Sequence, residues 1–206
     1  MQTLTLRTAP IKENDRLVTL LSKESGVIRA FANGAKKPNN PLHGATQPFA
    51  HGQMDFRLRR DTYTITEAQA EGLFFHGLAA DITRLALANY FAALCIELCP
   101  QEEPAPEQLR LMLNALHFLS VGTRPQPLLK SVVELRLLSL AGYMPDSQDS
   151  ALRFLCDEPL ERAFRLSLPE ESLQALAQSS QRYLRHQTGK HFDELEYYEN
   201  LLRQAA

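Results

Sequence analysis

"DRLVTLLSKESGVIRAF", Asp15 to Phe31, is the stretch on which the fold turns. Leu17 to Leu21 is an apolar extended run that stops at Lys23-Glu24-Ser25-Gly26, and Val27-Ile28-Arg29-Ala30-Phe31 resumes it. A turn-rich tetrad ending in glycine between two such runs reads as a β-hairpin. Upstream, Leu4 and Leu6 alternate with polar neighbours. Downstream, Met54, Phe56 and Leu58 alternate with Asp55, Arg57 and Arg59, a period of two that sets the arginines on the face opposite the core. Asp61-Thr62 turns the chain, and Tyr63 and Ile65 return on a fifth strand. Five short strands in about seventy residues predict a small barrel, with the OB-fold foremost because its rim loops and one sheet face bind oligonucleotides. On this reading Phe31 and Phe56 fall on the apolar phases of their strands and belong to the barrel core.

The hairpin is followed by "ANGAKKPNNPLHGA", Ala32 to Ala45, with two lysines, two prolines, two glycines and three asparagines. No acidic residue lies between Glu24 and Asp55, whereas Arg29, Lys36 and Lys37 do. A long connection without a hydrophobic pattern is commonly a functional loop. Here Gly34 and Gly44 allow tight turns, and Lys36 and Lys37 carry charge suited to phosphate.

From Gly77 the period changes to that of helices. Leu78, Ile82, Leu85, Tyr90, Phe91, Leu94 and Leu98 form a nearly all-apolar segment, read as a buried central helix and stopped by Pro100, Pro104 and Pro106. Leu109 to Leu119 and Leu128 to Leu138 repeat at helical spacing up to Gly122 and Gly142. Ser167-Leu168-Pro169-Glu170 has the form of a capping box opening a helix that runs to Gly189, and a last helix covers Phe192 to Leu202. Asp146 to Glu161 is acidic and weakly patterned, and reads as loop. The expected class is α+β: an N-terminal five-stranded OB-fold barrel, residues 1–76, followed by an all-helical domain, residues 77–206.

The chain has 206 residues and a net charge of −2, which hides an asymmetry. Residues 1–76 carry 10 Lys+Arg against 7 Asp+Glu, and residues 77–206 carry 12 against 17. A basic first part points to an anionic partner. Arg16, Arg29, Lys36, Lys37, Arg57, Arg59 and Arg60 are the candidate nucleic-acid-binding residues, since such binding needs cations at phosphate spacing. Catalytic signatures are missing: there is no G-x-S-x-G, H-E-x-x-H, phosphate-binding glycine loop or dinucleotide fingerprint, and the six histidines are dispersed. An enzyme is not expected, nor a cofactor. Cys95, Cys99 and Cys156 form neither a disulfide framework nor a four-ligand zinc set, so reduced thiols and no metal are expected. No run approaches a membrane span and the first eight residues lack a signal-peptide layout, so a cytoplasmic protein is expected.

Glu13 to Phe49, "ENDRLVTLLSKESGVIRAFANGAKKPNNPLHGATQPF", resembles the N-terminal signature of the bacterial recombination-mediator family RecO. That signature runs through an Asp-Arg-Leu strand, a Thr/Ser-x-Glu-x-Gly turn, an Ala-x-Gly-Ala-Arg/Lys-Lys loop and a Leu-x-Gly-x-x-Gln-Pro-Phe segment. "VELRLLSLAGYMPD", Val133 to Asp146, is similar to the family's Gly-Tyr-x-Pro block, and "YLRHQTGKHF", Tyr183 to Phe192, to its C-terminal Gly-Lys helix pair. The resemblance implies an OB-fold and a helical domain in a nucleoid-associated protein that needs no nucleotide cofactor. It implies binding of single- and double-stranded DNA and annealing of complementary strands. With the partner RecR and the C-terminal tail of single-strand-binding protein, it implies loading of recombinase onto coated DNA. Arg16 matches the family's strand arginine, and Lys36 and Lys37 its basic loop. Many members carry a cysteine-rich zinc module after the Gly-Tyr-x-Pro block, whereas Asp146 to Pro159 has only Cys156, so the module is degenerate or absent. Asn39, Asn40 and Pro41 stand where the family tends to have a further basic residue, and Asp193 and Glu194 where basic or serine residues are common in it. A protein-interaction scaffold with only incidental DNA contact is the competing reading.

Overall fold

A computed structural model describes residues 1–145 and 150–205. Five strands, β1 (Gln2–Pro10), β2 (Arg16–Ser22), β3 (Gly26–Ala32), β4 (Ala50–Arg59) and β5 (Thr62–Leu73), close into a barrel in the order β1-β2-β3-β5-β4. β1 to β2 to β3 is an antiparallel meander, with Leu20 opposite Ile28 and Leu17 opposite Phe31. β5 runs parallel to β3, pairing Ala30 with Tyr63 and Phe31 with Thr64, and β4 returns to β1 through Thr3 and Gly52. This is the OB-fold connectivity. Its interior is filled by Val18, Leu20, Ile28, Ala30, Met54 and Ile65.

The connection after β3 is more ordered than its composition suggests. It contains α1 (Leu42–Ala45), and Ala35, Leu42 and Ala45 are buried in the barrel core. The stretch read as a functional loop thus also contributes to the barrel core, and its backbone is held by side-chain acceptors: the Leu42 amide donates to Asn40 Oδ1 at 2.8 Å and the Gly34 amide to Asp15 Oδ1 at 2.8 Å.

The helices are α2 (Phe75–Ala79), α3 (Ile82–Leu98), α4 (Pro106–Val121), α5 (Gln126–Leu140), α6 (Ser150–Asp157), α7 (Leu160–Ala163), α8 (Glu170–Thr188) and α9 (Asp193–Ala205). The segment expected to be one central helix is two, because Asp81 caps the second: its Oδ1 accepts from the Thr83 amide at 2.8 Å and the Thr83 hydroxyl at 2.7 Å. The capping box at Ser167 does not form. Pro169 is extended at φ −55°, ψ 151°, so the helix begins only at Glu170 and Ser167 falls too early to cap it. Of the expected loop at Asp146 to Glu161, residues 146–149 lie outside the described residues, and the remainder forms α6 and part of α7, with Leu152, Leu155 and Cys156 buried on one face. α8 ends as expected at Gly189, whose φ of +63° suits a residue without Cβ.

The chain divides into two compact units: Met1–His76 with Cys99–Arg110, and Gly77–Leu98 with Leu111 onward. In the first, the returning segment pairs with the β2–β3 turn. Gly26 bridges Gln101, the Val27 amide donates to Pro100 O at 2.8 Å, and the Ala105 amide donates to Lys23 O at 3.0 Å. Gly26 has φ +60°, and a Cβ there would lie 2.1 Å from the Pro100 carbonyl oxygen. Only glycine satisfies both conditions.

The second unit is built on α5, which packs against α3, α6 and α8 while α9 covers α3. Its interior holds a charge. Glu134 is fully buried and accepts from Tyr90 Oη at 2.6 Å, Ser180 Oγ at 2.5 Å and Lys130 Nζ at 2.8 Å. Lys130 Nζ also donates to Ala177 O and to Gln181 Oε1. Burial and the neighbouring carboxylate push the Tyr90 phenol well above its ordinary pKa, so it remains a donor.

Candidate nucleic-acid interface

Side chains two apart on a strand share a face, and residues paired across strands share it too. On that rule β3, β5 and β4 present one outward surface. Phe31 on β3 lies beside Thr64 on β5, and Thr64 beside Arg57 on β4. Arg29 precedes Phe31 by two residues, Arg59 follows Arg57 by two, and all three arginines are exposed. The barrel thus gathers Arg29, Arg57 and Arg59 on one sheet face; the alternation of β4 implied the shared face of Arg57 and Arg59, and the strand register adds Arg29. Asp55 and Glu67, paired with each other across β4 and β5, mark where this face turns acidic.

Arg60 sits apart at the hairpin tip. It and Asp61 take left-handed conformations, φ +48° and +59°, as a two-residue primed turn requires. Neither is glycine, so the tip holds strain on the order of 1 kcal/mol per residue. Leu58, expected in the core, is 57% exposed, two residues before the hairpin tip.

The other candidates have different surroundings. Arg16 is half-buried, with Nη1 donating to Thr46 Oγ1 at 2.9 Å and to His43 O at 3.2 Å, and burial lowers its pKa. It fastens the connection around α1 to β2. Lys36 is also partly buried: its amide donates to Asn14 O at 3.0 Å, and its ammonium donates to Lys12 O at 3.2 Å. Lys37 is exposed. The two loop lysines therefore differ, one bonded to the β1–β2 connection and one turned to solvent.

Two residues escaped the sequence reading. Arg7 on β1 pairs with Thr19, which pairs with Arg29, so two exposed arginines stand two strands apart, about 10 Å. Only the register reveals this. Phe31, expected in the core, is 38% exposed on the outer face beside Arg29. The inward positions of β3 are Ala30 and Ala32, and Phe31 between them is out of phase with the core. Phe56 is inward as expected, partly buried and edge-on to Tyr63 at 6.0 Å.

Among the described residues, no group of three or more His, Cys, Asp or Glu is arranged to hold a metal ion, and no helix is long and apolar enough to cross a membrane. All three cysteines are buried thiols, and burial pushes that of Cys156 up to about 11.

Comparison with known proteins draws on both units. Residues 1–74 match the family described as Recombination protein O N terminal, and residues 79–152 match Recombination protein O C terminal. Curated relatives are named DNA repair protein RecO. That of Heliobacterium modesticaldum is 36% identical over 162 residues, 79% of this chain and 57% of the relative. That of Pelotomaculum thermopropionicum is 36% identical over 143 residues, 69% of this chain and 54% of the relative. That of Symbiobacterium thermophilum is 30% identical over 188 residues, 80% and 74% of the two chains. The chain thus spans little more than half the length of the first two. With matches over both units, and a five-stranded barrel ahead of helices as that family has, the chain belongs to the RecO family.

Proposed function

We propose that this chain is a DNA repair and recombination mediator that acts without catalysis and without a cofactor in the bacterial cytoplasm, at the nucleoid. It binds single- and double-stranded DNA through the outer face of β3, β5 and β4, anneals complementary strands, and helps load recombinase onto DNA coated by single-strand-binding protein. The observation that carries this reading is the gathering of Arg29, Arg57 and Arg59 on one sheet face of an OB-fold, with Arg7, Lys37 and Arg60 as further cations. Family membership supports the remainder. RecR and the acidic tail of single-strand-binding protein are the protein partners. For the tail, the second unit offers a groove floored by Leu184, Phe192 and Leu195 and edged by Arg185, Lys190 and Arg203, with Glu196 and Glu199 also lining it.

The test is a titration of single-stranded oligonucleotide at several salt concentrations. Each phosphate contact contributes a slope of about −0.7 in log affinity against log salt. Arg57→Glu with Arg59→Glu should flatten the slope by about 1 to 2 and weaken binding to all sequences alike. Lys36→Glu with Lys37→Glu should flatten it by about 0.7 to 1.4, with Lys37 the larger contributor because it is the more exposed of the two. If a folded Arg57→Glu, Arg59→Glu protein keeps the parent slope and annealing rate, the cationic face is not the DNA site, and the scaffold reading gains.

A further inference from the structure

We propose that Phe31 is a base-stacking residue and makes the sheet face discriminate single-stranded from double-stranded nucleic acid; this rests on the DNA-binding reading given above. Nothing in barrel packing calls for a large aromatic at this place. The inward positions of β3 on either side of it are Ala30 and Ala32, both buried, while Phe31 itself is 38% exposed on the opposite face. Its neighbours favour a ligand that is anionic and planar. Arg29 lies two residues before it on the same strand, and Thr64 separates it from Arg57. Guanidinium groups on both sides of an exposed ring reproduce the two elements of a single-strand platform, cations for the phosphates and a π-face for a base.

The same geometry separates the two forms of DNA. In a duplex the bases are stacked on each other and only the phosphates reach a flat cationic face, so the ring adds little. In a single strand an unstacked base can lie on the ring, and every base has such a face, so the gain is sequence-tolerant. A protein or apolar ligand on Phe31 is the rival occupant. The flanking arginines favour the anion.

The chain has no tryptophan, so Phe31→Trp introduces a single indole at the proposed contact. Its fluorescence should be quenched by a single-stranded oligonucleotide and left nearly unchanged by a duplex at saturating concentration. In parallel, Phe31→Leu keeps an apolar side chain of similar bulk without the π-face. It should weaken single-strand binding about fivefold or more, leave duplex affinity within about twofold, and leave the salt slope unaltered. An unchanged ratio of single-strand to duplex affinity, or equal loss for both, overturns the stacking role even if the arginine variants abolish binding. If Arg57→Glu with Arg59→Glu leaves both affinities intact, the underlying DNA-binding reading fails instead. Should the leucine variant not fold, the indole fluorescence alone decides: equal quenching by both forms, or none by the single strand, removes the proposal.

Discussion

Glu134 shows how much a single residue can commit a helical interior. A carboxylate with no solvent exposure survives there because three donors from three helices converge on it: Tyr90 of α3, Lys130 of its own helix α5, and Ser180 of α8. Replacing one member of such a set strands the others. Glu134→Gln should cost about 3–5 kcal/mol in urea unfolding, since it leaves the Lys130 ammonium, itself nearly inaccessible, without its counter-charge. Glu134→Leu combined with Lys130→Met should recover much of that loss, because removing both charges removes the desolvation debt. A single variant within about 1 kcal/mol of the parent would show that the cluster is weakly coupled. The sequence shows a glutamate in an apolar repeat but not that three other helical turns supply its partners. Phe31 is the converse case, a large apolar residue that the alternation of its strand sends outward while Ala30 and Ala32 on either side face in.

At the scale of elements, periodicity exposed what packing makes periodic. β3 and β4 were legible because buried and exposed positions alternate along them, β2 because it is an apolar run closed by a turn, and the glycine stops of α4, α5 and α8 because left-handed caps select that residue. Boundaries that depend on a neighbour's conformation were not. α3 begins at Ile82 because Asp81 accepts two hydrogen bonds from Thr83, and those bonds, the hydroxyl's foremost, hold the Asp81 carboxyl below the usual carboxylate range. A depressed pKa means stabilisation that is complete above the ordinary carboxylate pKa and lost as pH falls through the lowered one. Asp81→Ala should therefore lower stability by about 0.5–2 kcal/mol at pH 7, and Asp81→Asn by less, because an amide oxygen still caps. Melting temperatures from pH 3 to 7 should show a shallower acid limb in both variants than in the parent. A parent-like acid limb in Asp81→Asn would assign the acid sensitivity to other carboxylates. α6 was missed for another reason: eight residues give barely two turns of pattern, and its acidic flank resembles a loop.

At the scale of the molecule, the order of residues and the order of folding units disagree. The barrel takes Met1–His76, the chain departs to build α3, comes back as Cys99–Arg110, and departs again. Composition could not reveal this, because the returning segment is short, polar and proline-rich, and its attachment is a matter of backbone bonds to the Gly26 turn. A chain cleaved between His76 and Gly77 should consequently remain one species on a sizing column, residues 99–110 of the larger piece still seated on the smaller. In the same nicked protein Gly26→Ala should release the smaller piece, since its Cβ would occupy the place of the Pro100 carbonyl. Separation of the nicked parent without that substitution would show that the seat is too weak to matter. The two halves are in this sense interleaved rather than joined in series. A barrel exchanged between relatives at residue 76 would arrive without the piece that seals its β2–β3 turn, so for recombination or for a designer the portable block is discontinuous, and a chimera must carry both of its parts.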